Sequence, residues 1–156
     1  MGATLRHGDG PVSGTHVAFI RLAVAYLVLT GVLGTAMIWN PAWTGYVRVA
    51  HFHAGLMGFF LSFVMGVAYW LMPRPGGRRF PVRERIAVWA FHVGLFLRLA
   101  GDPWWRMGGG DPARYVMLLG SVGLLVGMTI FAVSIAQRAR SADALIRLRE
   151  AVREQT

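Results

Sequence analysis

The sequence contains no cysteine, which removes disulfides, iron–sulfur clusters, thiolate ligation of haem and covalent haem attachment through a Cys-x-x-Cys-His motif. Any metal chemistry must rest on histidine, of which there are five. Acidic residues are also scarce, seven against sixteen basic ones. No nucleophile–base pair, phosphate-binding loop, pair of intramembrane carboxylates or internal repeat stands out. The formal charge of +9 would suggest nucleic acid in a soluble chain. Here the basic residues sort to one side of a set of apolar segments, so no nucleic-acid partner is expected.

What is present is apolar: 55% of the residues, gathered in long runs. A bilayer core needs about 20 apolar residues of helix, and four spans are expected, near 17–39, 47–72, 85–100 and 115–137. The third is shorter and carries His92 and Arg98, so its alternative is a core helix sheltered by the others. The first run is too long for a signal-peptide core and no small-residue cleavage pattern follows it, so it reads as an uncleaved span. The fold class expected is all-α, a single membrane-embedded four-helix bundle over 1–156. The basic loop Pro73–Arg85 and the basic tail 138–156 place both termini on the cytoplasmic side of a prokaryotic-type inner membrane, as a multi-pass protein. Trp39, Trp43, Tyr46, Trp104 and Trp105 form an aromatic belt in the outer loops, Trp39 to Tyr46 and Gly101 to Arg114. Ser141 is a plausible cap for a separate basic amphipathic helix with Leu145, Leu148 and Val152 at helical spacing, lying on the inner leaflet.

The second span carries the chemistry. At 3.6 residues per turn, Arg48, His51, Gly55, Gly58, Ser62, Gly66 and Tyr69 share one stripe. Small residues beside a histidine suit a flat porphyrin; they equally suit close approach of another helix. An intramembrane histidine marks function by default. His53 lies about 200° around the helix from His51, so only one of the two serves as an axial ligand. His51 is preferred for its glycine stripe and because Arg48, one turn outward, can pair with a haem propionate. His92 on the third span is the candidate second ligand, on the order of 6 Å deeper than His51 at 1.5 Å per residue. His53 matches it better in depth. Arg98, about 9 Å outward of His92, can meet a propionate or snorkel to headgroups. His7 and His16 flank the first span on the cytoplasmic side and read as interfacial or disordered.

The Arg-x-x-His of Arg48 and His51, the following glycines and the ending Gly66-Val67-Ala68-Tyr69-Trp70-Leu71-Met72-Pro73-Arg74 resemble the second transmembrane helix of haem-copper oxidase subunit I, particularly in nitric oxide reductases and close relatives. The chain also looks like small four-helix relatives of that subunit, with a histidine at the place of His92. The resemblance covers about a sixth of the chain. It implies a low-spin haem b with His51 as axial ligand and His53 as the register alternative. The partner ligand is then His92 or a histidine of another subunit. The copper and high-spin haem ligands of that family lie on later helices that have no counterpart here, so a complete oxidase or reductase is not expected.

Gly120, Gly123 and Gly127 predict a helix–helix interface on the fourth span, within the chain or between copies, and a homo-oligomer in membrane lipid is the expected assembly. Three functions follow. The first is a haem b protein for electron transfer or for binding a diatomic gas such as NO or O2. The second is a cofactor-free accessory or assembly subunit of a respiratory complex. The third is a copper or zinc site built from His51, His53 and His92.

Overall fold

The computed structural model describes residues 14–72 and 81–154, and all of its regular structure is helical. Helix α1 spans Gly14–Trp39. A second rod begins with a 3-10 turn, Pro41–Trp43, capped by the Asn40 side chain, which accepts from the Ala42 N–H at 3.1 Å. It continues as α2, Thr44–His53, a π-helical stretch, Ala54–Leu61, and α3, Ser62–Leu71. Helix α4 covers Pro81–Arg106 and α5 covers Gly110–Glu154. The described structure is thus four helical rods. Three of them, Gly14–Trp39, Pro41–Leu71 and Gly110–Arg140, are long and apolar enough to cross a membrane. α4 falls short of that standard because Arg83, Glu84, Arg85, His92, Arg98, Asp102 and Arg106 interrupt it.

Several boundaries differ from the sequence expectation. The loop expected from Trp39 to Tyr46 reduces to Asn40 and the 3-10 turn, because Pro41 has no N–H to leave unpaired at a first helical position. The expected loop from Gly101 to Arg114 is mostly helix. α4 runs through Pro103 to Arg106 and ends in a Schellman motif, with Gly109 N–H bonded to Trp104 O and Gly108 N–H to Trp105 O. Gly108 supplies the required positive φ, 95°. At the other end α5 does not break at Ser141. No proline or glycine lies between Gly127 and Glu154, so the helix continues as one rod of 45 residues. The basic stretch is therefore the end of α5 and not a separate amphipathic helix; the side chains of Leu145 and Leu148 lie outside the described residues. So do 1–13 with His7, and the loop 73–80.

The four rods form two antiparallel hairpins, α1 with the second rod and α4 with α5. Glycine sets both seams. A Cβ on Gly94 of α4 would lie 2.5 Å from the backbone nitrogen of Leu124, and one on Gly123 of α5 would lie 3.0 Å from Gly94 Cα. Gly120 and Gly127 are equally close to the backbones of Arg98 and Phe91, both at 2.7 Å. The glycine face of α5 is therefore used within the chain. The hairpins meet around Phe19, Met65, Tyr69, Val88, Phe91, Leu95 and Leu124.

Candidate functional site: the histidines of the bundle

His51 lies on α2, half-buried against α1, with Nδ1 3.0 Å from the carbonyl oxygen of Thr30. A carbonyl only accepts, so Nδ1 carries the proton, and in the neutral ring Nε2 holds the lone pair. That is the tautomer of a metal-ligating histidine whose other nitrogen is fixed by the protein. Gly34 makes the approach possible, since a Cβ there would stand 3.2 Å from His51 Cε1. His53 shows the same pattern within its own helix, with Nδ1 2.9 Å from the carbonyl of Val49. Both histidines of the pair thus offer Nε2, one braced across helices and the other along its own turn.

His92 is placed differently. It is 5% exposed, stacked on Tyr26 at 5.8 Å and 12° and flanked edge-on by Phe91 at 5.1 Å. Phe19 packs at 5.1 Å on the same ring. Neither ring nitrogen has a hydrogen-bond partner. Unpaired buried polar atoms of this kind cost about 1–3 kcal/mol each.

The two candidate ligands are not brought together. His51 meets α1 at Thr30 and Gly34, whereas His92 meets it at Phe19 and Tyr26. Along α1 the contacts of the two rings are offset by at least the four residues from Tyr26 to Thr30, about 6 Å. Aromatic rings of α1 fill the space around His92.

The glycine stripe is occupied as well. A Cβ on Gly58 would fall 2.5 Å from Tyr26 Cγ, one on Gly66 2.9 Å from Ile20 Cγ1, and one on Gly55 3.2 Å from Thr30 Cγ2. The face open to either a porphyrin or a helix is covered in this structure by α1. Arg48 is exposed and Arg98 half-buried; among the described residues neither forms an ion pair. No three His, Asp or Glu side chains converge as a metal-ligand set among the described residues.

Sequence reasoning missed a polar cluster at the opposite, basic end. Arg138 of α5 forms an ion pair with Glu84 of α4, both about 5% exposed. It also donates to the carbonyl of Tyr69 at 3.2 Å, and its guanidinium lies 4.9 Å from the Tyr69 ring centre. Three rods are tied at one point. The available signal was a carboxylate at the start of a largely apolar helix, obscured by Arg83 and Arg85 on either side. Asp102 was assigned to a loop but is 3% exposed on α4, paired with Arg106 at 3.1 Å.

Comparison of the chain with family models, with curated proteins and with solved structures returns no match.

Proposed function

We propose that this chain is a haem b-binding protein of a prokaryotic-type inner membrane, related to haem-copper oxidase subunit I, with His51 as an axial ligand. Its four rods all reside in the membrane, α4 sheltered by the others, with both termini on the basic, cytoplasmic side. One observation carries the ligand assignment: Nδ1 of His51 is held by the Thr30 carbonyl across two helices, which leaves Nε2 as the donor atom. His53, with the same tautomer, is the alternative.

The residues present fit one axial ligand and do not fit the pair His51–His92. Any further ligand to a bound haem b would come from outside the chain, from a histidine of a second copy or of a respiratory subunit, or from a diatomic gas. The group would supply one-electron transfer or gas binding. The role of this chain is to orient Nε2 and to exclude water around it with Thr30, Gly34 and the adjoining helix faces. Arg48, exposed one turn outward, is placed to pair with a propionate.

A second reading, a cofactor-free accessory subunit, is favoured by the close cover of α1 over Gly55, Gly58 and Gly66. Absorption spectra of the detergent-purified protein, oxidised, reduced and reduced with carbon monoxide, separate the two. The haem reading requires a Soret band that is lost in His51→Ala and kept in His92→Phe. Folded, colourless protein from haem-replete cells would leave the accessory reading standing. Loss in His53→Ala with retention in His51→Ala would move the ligand two residues.

A further inference from the structure

A groove of about 550 Å³ runs between α1 and α3 at the basic end of the bundle, lined by His16, Val17, Ile20, Arg21, Val67 and Trp70. Its chemistry changes along its length. Val17, Ile20 and Val67 make one wall apolar, while Arg21 and His16 bring nitrogen donors and Trp70, 67% exposed, brings an indole. Among the described residues no carboxylate lines it. Arg21 is exposed and has no ion-pair partner among the described residues. Glu84, at the same end of the bundle, is already paired with Arg138.

His16 lines the same place at 8% exposure; its Nδ1 is enclosed by protein, which leaves Nε2 as the ring nitrogen able to meet a ligand. Beside it the exposed Arg21, unpaired among the described residues, gives the groove a cationic polar end. The helices on both sides are long and apolar enough to cross a membrane, so an occupant must be amphiphilic, with acyl chains against the valines and a headgroup at the arginine. An exposed tryptophan at such a boundary is the expected interfacial anchor.

We infer that this groove binds one anionic phospholipid, its phosphate held by Arg21 and His16 and its acyl chains lying along Val17, Ile20 and Val67. The site depends on membrane placement alone and is independent of the haem assignment. Charge complementarity selects the headgroup: among the described residues the groove offers cationic and neutral donors and no acid to favour a zwitterion's ammonium. Arg21, which sits within an apolar helix, is stabilised by the same contact.

The test is native mass spectrometry of the full-length chain released from mild detergent, titrated with phosphatidylglycerol, phosphatidylcholine or inorganic phosphate. Phosphatidylglycerol adducts should dominate. Arg21→Gln should weaken them roughly fivefold, and His16→Phe should weaken them too, while Arg140→Gln, an exposed arginine of α5 outside the groove, should change nothing. Equal retention of the two lipids, an unaltered preference in Arg21→Gln, an equal loss in Arg140→Gln, or displacement of the lipid by inorganic phosphate would each overturn the proposal. Thermal unfolding of Arg21→Gln by circular dichroism checks that the variant is folded, and the absorption spectrum, read separately, reports on haem.

Discussion

Nδ1 of His51 lies 3.0 Å from the carbonyl oxygen of Thr30, so a side chain of one apolar helix is fixed by the backbone of its neighbour. Interhelical hydrogen bonds in membranes contribute about 0.6 kcal/mol on average. His51→Ala should therefore lower the unfolding free energy of the cofactor-free protein by about that amount. His53→Ala, whose bond lies within its own turn, should lower it less. Thermal unfolding in detergent compares the two, and a larger loss in His53→Ala would contradict the bracing role of Thr30.

The seam between α4 and α5 should be the least tolerant part of the bundle. Gly94→Ala places a methyl group 2.5 Å from the Leu124 nitrogen and 2.7 Å from the Gly120 oxygen, both backbone atoms that cannot rotate away. A cost near the upper end of the overpacking range, about 3 kcal/mol, is expected. Gly31→Ala on α1 has open space around the new carbon and should be neutral or stabilising by up to about 1 kcal/mol through helix propensity. Guanidinium or SDS unfolding of the two variants should rank them in that order.

Glu84 and Arg138 should behave as a unit. Removing either partner leaves a buried charge uncompensated, at about 3–5 kcal/mol. Replacing both, as Glu84→Leu with Arg138→Met, should recover most of the loss, since buried pairs repay their desolvation poorly. A double-mutant cycle reads the coupling directly; additive effects would mean that the pair does not act together.

His92→Phe should leave the cofactor-free fold as stable as the parent or about 1 kcal/mol more stable, because the substitution removes two unpaired nitrogens from an aromatic nest. A Soret band that survives the substitution agrees with His51 ligation completed from outside the chain. A band that disappears would contradict the reading that His51 is the ligand this chain supplies without His92.

Much of this architecture was legible because hydropathy and glycine spacing report directly on helices that must bury or expose whole faces. The glycines of α5 announced a close seam, and its partner, Gly94, lay in plain view on α4. Other features were hidden for physical reasons. Which helix covers a glycine face is decided by the opposing side chains, here Tyr26 over Gly58, and no pattern within the second span encodes that. Depth along a helix depends on its true ends, and the extension of α4 through Pro103 was masked by a proline that ordinarily argues against helix. The continuation of α5 past Ser141 was masked by a residue that ordinarily argues for a cap. The burial of Glu84 could not be read from a segment where arginines flank it.

The π-helical stretch Ala54–Leu61 separates the two ends of the second rod. Ser62 completes it, its hydroxyl donating to Met57 O at 3.2 Å, five residues back. Such a stretch alters angular phase: one residue more or fewer turns everything downstream by about 100°. The small-residue face nonetheless stays on α1 along the rod, with Gly55 and Gly58 against Thr30 and Tyr26 inside the stretch and Gly66 against Ile20 beyond it. The irregular turn is absorbed without the rod changing partner.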